Sequence, residues 1–151
     1  MFKIIDSGRM HEGNSRHTLS KGLYIDEYGN IYLGGIEGPT TRFSDGNLKS
    51  VASSEFRYDG LGNLVTISNT LDGHLEFHYY SSRFPRLEGK VSSILGESLC
   101  GGDGLAFQYD DSGRLKSLDG VMRGDRVMYF IYGSNGKISK ITNTDRGTVV
   151  Y

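Results

Sequence analysis

Aromatic and aliphatic residues recur along the chain in a fixed order around glycine. Three segments align on that glycine: EFRYDGLGNLVTISN (55–69), AFQYDDSGRLKSLDG (106–120) and YFIYGSNGKISKITN (129–143). In each, Phe and Tyr precede the glycine in a Phe-x-Tyr step, which places both rings on one face of a strand. The glycine suits the left-handed residue that closes a tight turn. Each segment therefore predicts a β-hairpin.

The outgoing half of each predicted hairpin breaks strict alternation. Leu64 and Ile67 are both apolar but stand three positions apart, and the same step occurs in the other segments. A regular strand would send such residues to opposite faces. A β-bulge, which adds one residue to a strand, would bring both to the same face. The pattern predicts a bulge at this position.

Weaker copies of the pattern fill the chain between the clear ones. They are LYIDEYGNIYL (23–33), DGNLKSV (45–51), DGHLEFH (72–78) and EGKVSSI (88–94). Hairpins following one another in this way predict an all-β fold. We expect one domain over residues 1–151. It is built as an antiparallel sheet of successive β-hairpins of the Tyr-Asp (YD) type, and it forms an open, twisted sheet or a partial barrel. The polar, aperiodic residues 7–20 predict a loop or arm.

Composition agrees with this fold. The chain has 22 Gly but only 2 Pro, together with 10 Tyr and 7 Phe, as expected for many tight turns between aromatic strands. A chain of 151 residues is long enough to bury a core without disulfides. Cys100 is the single cysteine, so no disulfide can form within the chain.

The motifs YDGLGNL (58–64), YDDSGRL (109–115) and YGSNGKI (132–138) resemble the YD repeat of RHS-type proteins, with Gly133 replacing Asp in the third. That family implies long spiralling β-sheets that build hollow shells around toxins in bacterial delivery systems. A shell that encloses a cargo needs many more repeats than this chain carries. The resemblance therefore implies the sheet and a connection with toxin systems.

Charge and hydropathy exclude several classes of partner. The net charge is -1, from 17 basic and 18 acidic residues, so no strong field favours nucleic acid or an anionic membrane. No stretch approaches the roughly 18–20 apolar residues that a membrane span needs. The N-terminus lacks the apolar segment of a signal peptide. We expect a cytoplasmic protein with neither a nucleic-acid nor a membrane partner.

The histidines give little support for a metal site or an active site. His74 and His78 are four residues apart, which on a strand separates them by roughly 13 Å. His11 and His17 could form a cluster with Glu12 on the N-terminal arm, and a small hydrolase using that arm is one alternative.

The remaining candidate chemistry is equally sparse. Cys100 has no histidine near it in sequence to act as a base. Residues 101–104 (GGDG) lack the Lys-Ser/Thr of a phosphate-binding loop. We expect no catalytic residues, no metal and no cofactor.

The segment YYSSRFPR (79–86) is the strongest candidate for function because it interrupts the repeat. Tyr and Arg dominate the energetic centres of protein interfaces, and Pro85 would reduce the cost of ordering the loop. The predicted partner-binding residues are Tyr79, Tyr80, Arg83, Phe84 and Arg86. The alternative is that Tyr79 and Phe84 fill the core of the sheet.

The sequence thus predicts a non-catalytic protein-binding module. The most specific hypothesis is a bacterial immunity protein that binds and blocks a cognate toxin domain. A structural RHS-type shell fragment or accessory subunit is the alternative from another class, beside the hydrolase.

Overall fold

The computed structural model describes residues 2–4, 15–20, 23–33, 38–70, 73–96, 104–120, 127–143 and 147–151. All regular structure in these ranges is β-strand, which confirms the predicted all-β class. The fifteen strands form two sheets, here called the short sheet and the long sheet.

The short sheet comes from the N-terminal part of the chain. Its strands are β1 (Phe2–Ile4), β2 (Ser15–Ser20), β3 (Leu23–Asp26) and β4 (Ile31–Leu33), in the order β1-β4-β3-β2. The pairing of β1 with β4 is parallel. The expectation of a loop over 7–20 is wrong for 15–20, because β2 pairs with the backbone of β3. That pairing involves main-chain groups and two register shifts, so polar residues without periodicity can form it.

The long sheet contains the other strands in simple sequence order. They are β5 (Thr40–Arg42), β6 (Leu48–Val51), β7 (Ser54–Tyr58), β8 (Leu64–Thr70), β9 (Gly73–Tyr79), β10 (Val91–Gly96), β11 (Leu105–Tyr109), β12 (Leu115–Gly120), β13 (Val127–Tyr132), β14 (Ile138–Asn143) and β15 (Gly147–Val150). Each strand pairs antiparallel with its neighbours in sequence. The predicted succession of hairpins in an open sheet is therefore confirmed.

The predicted bulge is present in the outgoing strands. Arg57 pairs with Thr66 while Tyr58 pairs with Leu64, so Val65 is an extra residue on β8. The bulge turns both Leu64 and Ile67 into the core. Equivalent register shifts occur in the hairpins β5–β6, β9–β10, β11–β12 and β13–β14.

The turns use the aspartate and glycine as the sequence predicts. The N–H of Asp59 donates to the carbonyl of Asn63 at 2.9 Å, and the N–H of Gly62 donates to the carbonyl of Asp59 at 3.1 Å. We call this pair of bonds the turn frame; it recurs at 26–30, 43–47, 110–114 and 133–137. Asp59 Oδ1 also accepts the N–H groups of Leu61 and Asn63, both at 2.9 Å. Local side-chain bonds of this kind are why Asp initiates turns.

One apolar cluster joins the two sheets. Ile25 and Ile31 of the short sheet belong to the same buried cluster as the inward residues of the long sheet. Glu27 also accepts a backbone hydrogen bond from Ile138 at 2.6 Å. The short sheet therefore covers part of the apolar face of the long sheet.

Candidate functional site

The segment between β9 and β10 is an insertion into the turn frame. The N–H of Tyr80 donates to the carbonyl of Lys90 at 2.9 Å, and the N–H of Gly89 donates to the carbonyl of Tyr80 at 3.2 Å. These are the two bonds of the turn frame, with Tyr80 in the position that Asp59 holds elsewhere. Residues 81–88, here called the insertion loop, therefore take the place of the two residues of the ordinary turn, and the same pair of backbone bonds closes both.

Hydrogen bonds within the insertion loop and contacts of Tyr80 with the loop and with β11 hold the loop in place. Backbone bonds run from Phe84 to Ser81 at 3.0 Å, from Leu87 to Phe84 at 2.9 Å and from Lys90 to Leu87 at 2.8 Å. The Tyr80 hydroxyl donates to the carbonyl of Phe107 at 2.7 Å. The ring of Tyr80 also meets Phe84 edge to face, with centroids 5.6 Å apart. A loop fixed in this way loses little freedom when it binds a partner.

The insertion loop presents an aromatic tip beside two cations. Phe84 is 48% exposed, and Arg83, Pro85 and Arg86 are exposed around it. These four residues help to line a cleft of about 440 Å³. An exposed aromatic residue flanked by arginines has the composition of an interface hot spot.

The neighbouring turn adds carboxylates to this cleft. Asp110 and Asp111 line it together with Tyr109, beside Leu87 of the insertion loop. Partial burial acts to raise the pKa of Asp110, but the hydrogen bonds and positive charge of Arg114 outweigh it and lower that pKa. The carboxylate is therefore ionised at neutral pH, and the cleft is lined by both cationic and anionic side chains.

The five residues predicted to bind a partner lie at three levels. Arg83, Phe84 and Arg86 are on the exposed rim. Tyr80 supports the loop from beneath, through the bond to Phe107. Tyr79 packs against the core, and its hydroxyl donates to the carbonyl of Leu64 at 2.6 Å.

Tyr79 belongs to a tyrosine ladder that sequence reasoning missed. The hydroxyls of Tyr79, Tyr109 and Tyr132 donate to the first residue of an outgoing strand in the preceding repeat: Leu64 at 2.6 Å, Val91 at 2.8 Å and Leu115 at 2.7 Å. The ladder therefore links the four consecutive hairpins from β7–β8 to β13–β14. At Tyr109 and Tyr132 the sequence signal is a tyrosine four residues before the turn glycine, whereas the inserted residues separate Tyr79 from Gly89. The acceptor is a backbone atom that no residue type reveals.

Cations cover two rings of the tyrosine ladder. Lys90 Nζ lies 5.4 Å from the ring centroid of Tyr109, and the guanidinium of Arg114 lies 4.5 Å from that of Tyr132. Both cations directly follow the turn glycine of the preceding repeat. Cation–π contacts at such distances add to the attraction between neighbouring repeats.

A second cleft of about 570 Å³ runs along the turns. Residues at equivalent positions in three successive hairpins line this cleft, among them Tyr58, Tyr79 and Tyr109. Because the hydroxyls of Tyr79 and Tyr109 are bonded to backbone carbonyls, two of its aromatic walls belong to the scaffold.

Most of the other residues considered for catalysis or metal binding lie outside the described part of the chain. His11, Glu12 and Cys100 fall outside the described residues, as do 101–103 of the GGDG segment, and His17 lies in β2.

His74 and His78 are exposed on β9, where His78 Nε2 is 2.8 Å from Glu76 Oε1. Among the residues that the structure describes, no three His, Cys, Asp or Glu side chains come together as a metal site. Within the same ranges, no helix is long and apolar enough to cross a membrane.

The chain matches no known protein-family model. A comparison with curated proteins likewise finds no significant relative.

The tyrosine ladder predicts a loss of stability at alkaline pH. Burial, with a contribution from the charge of Asp59, raises the pKa of Tyr79 from 10.0 to about 12. Burial also raises the pKa values of Tyr109 and Tyr132. The folded state therefore keeps protons that the unfolded state loses above pH 10.0, and stability is lost as the pH rises from there towards 12.

Urea denaturation at about pH 9 and about pH 11 would measure this loss. Replacing all three tyrosines by Phe should lower stability at the lower pH and flatten the change between the two. An equally steep change in the triple variant would contradict the assignment.

Proposed function

We propose that this protein is a non-catalytic protein-binding module whose contact surface is the insertion loop. The supporting observation is the exposed Phe84 at the tip of a loop that the turn frame and Tyr80 hold in place. Interface energy concentrates in rigid aromatic and arginine anchors of this kind. The protein therefore inhibits or recruits its partner by occupying a surface of that partner.

The loop defines the chemistry of the partner surface. Phe84 needs an apolar socket, because its ring gains most when it is fully removed from water. Arg83 and Arg86 need carboxylates at the rim of that socket, where charge complementarity speeds association and fixes orientation. The partner is therefore a folded protein with an apolar pocket edged by acidic residues.

The specific partner in this proposal is a bacterial toxin domain. The protein binds it in the cytoplasm and blocks it, as an immunity protein does. The support is the resemblance of the repeats at 58–64, 109–115 and 132–138 to YD repeats, which occur in toxin delivery systems. A family association of this kind sets the choice of partner, whereas the loop geometry supports binding itself.

Calorimetric titration with the toxin domain encoded beside the gene tests the proposal. We expect Phe84→Ala to weaken binding roughly thirtyfold, since truncating a hot-spot residue costs about 2 kcal/mol. Arg83→Ala and Arg86→Ala should each slow association and reduce its dependence on salt.

Leu61→Ala is the matched control, because Leu61 is 89% exposed on a different turn. This variant should bind as tightly as the unmodified chain. Unchanged affinity after Phe84→Ala would exclude the insertion loop as the contact surface. The absence of any toxin gene beside this one would remove the support for an immunity role.

A structural role is the second candidate, and the open long sheet favours it. That sheet ends in two strands, β5 and β15, rather than closing on itself. A shell fragment or accessory subunit would dock on a larger RHS-type sheet through such an edge. Stable binding to an isolated RHS-type shell, unaffected by Phe84→Ala, would favour this candidate.

A further inference from the structure

The four outer strands of the two sheets are protected to different degrees. β5 has three residues, follows Pro39 directly and ends in Arg42. β2 shifts register twice along its pairing with β3, and β1 has only three residues. Short length, proline, charge and bulges are the devices by which proteins keep edge strands from pairing with other chains.

β15 is also short, at four residues, but it lacks the other three devices. Its sequence, Gly147-Thr148-Val149-Val150, contains no charge and no proline. It pairs with β14 over four residues in regular register, without a bulge. No other strand in the described part of the chain pairs with its outer edge. β15 is therefore the edge best suited to accept another strand.

An exposed apolar patch lies beside this edge. Val150 is 73% exposed, and the register carries its row across Lys140 to the exposed Ile131. Tyr129 on β13 and Tyr151 after β15 are also exposed. The edge and the patch are separate observations that indicate the same end of the long sheet.

We propose that two copies of this chain associate through β15, paired antiparallel across a two-fold axis. Such pairing places residues of β15 opposite residues of the same strand in the other copy. A charged residue at the axis would face its own copy and be repelled, and β15 contains no charged residue. The pairing brings Val150 of each copy to the junction, with the exposed Ile131 and Tyr129 on β13 two strands away.

Strand direction distinguishes this pairing from stacking of β15 on β5. Consecutive strands of the long sheet are antiparallel, so β5 and β15, which are ten steps apart, run in the same direction. Stacking copies head to tail would therefore pair the two edges in parallel and repeat without closing. Pairing β15 with itself is antiparallel and closes at two copies.

Sedimentation velocity of the full chain at several concentrations tests the proposal. We expect a reversible equilibrium between monomer and dimer. Val150→Lys places like charges near the axis and should weaken the dimer by roughly tenfold or more. Thr148→Lys provides an independent second variant, because Thr148 is also exposed on β15.

The control is Leu61→Lys, which makes the same kind of change on an exposed turn and should leave the dimer intact. Circular dichroism checks that each variant is folded. A monomer at every concentration, or a dimer unaffected by both β15 substitutions, would overturn the proposal. Species larger than a dimer would overturn it in favour of head-to-tail stacking.

The association through β15 is independent of the insertion loop. Phe84→Ala should weaken partner binding while leaving the dimer unchanged, and Val150→Lys should weaken the dimer while leaving partner binding unchanged.

Discussion

We expect Phe107→Ala to lower the free energy of unfolding by about 3–5 kcal/mol. Phe107 is 1% exposed on β11, in the middle of the long sheet. Removing its ring would leave a cavity lined by core side chains, which the strands on either side can close only in part. Urea denaturation, with the slope compared between variants, measures the loss.

Phe84→Ala provides the comparison, because it removes the same ring from an exposed site. We expect it to cost only about 1 kcal/mol of stability, from the lost edge-to-face contact with Tyr80, while reducing partner binding. Similar losses of stability in both variants would mean that Phe84 belongs to the core. That outcome would contradict its assignment to the contact surface.

We expect Gly29→Ala to cost roughly 2–5 kcal/mol, more than the same change at Gly62. Both glycines have a φ of 84°, so both substitutions force alanine into the left-handed region. At Gly62 an added Cβ meets nothing within 4 Å, which leaves only the backbone strain of about 1–2 kcal/mol. At Gly29 the Cβ would overlap the Tyr132 hydroxyl, which must then leave the carbonyl of Leu115.

A double-mutant cycle separates the two contributions. In a Tyr132→Phe background the hydroxyl is already absent, so Gly29→Ala should lose most of its excess over Gly62→Ala. Thermal or urea unfolding of the four variants in the cycle measures this coupling. An unchanged excess would show that the contact with Tyr132 is not its cause.

The hairpins could be predicted from the sequence because their determinants are local. Asp59 and Gly62 form their turn within five residues, and the spacing of Leu64 and Ile67 already indicates a bulge. The hairpin at 129–143 was also predicted, but the sequence pattern did not show which side chain bonds the backbone of its turn. At the turn 133–137, which lacks the aspartate, Asn135 Oδ1 accepts the N–H of Lys137 at 3.0 Å.

The composition of the candidate site could be predicted, but its bracing could not. Arginine and exposed aromatic residues in a segment that breaks the repeat are visible in the sequence. The bond from Tyr80 to the carbonyl of Phe107 spans 27 positions, and its acceptor is a backbone atom. Long-range bonds to main-chain atoms leave no pattern in residue types. Only the structure therefore shows which of the predicted residues are exposed for binding and which support the loop.

The turn frame has a consequence for how this scaffold can diversify. Its two backbone bonds hold the ends of a connection at a fixed separation, whether two residues lie between them, as between Asp59 and Gly62, or eight, as between Tyr80 and Gly89. A hairpin closed by the turn frame can therefore accept connecting segments of different length. Transplanting 81–88 into the connection at 110–113 should move the recognition surface by one repeat along the same edge. Specificity can then evolve by swapping short stretches of chain while the architecture beneath them stays constant.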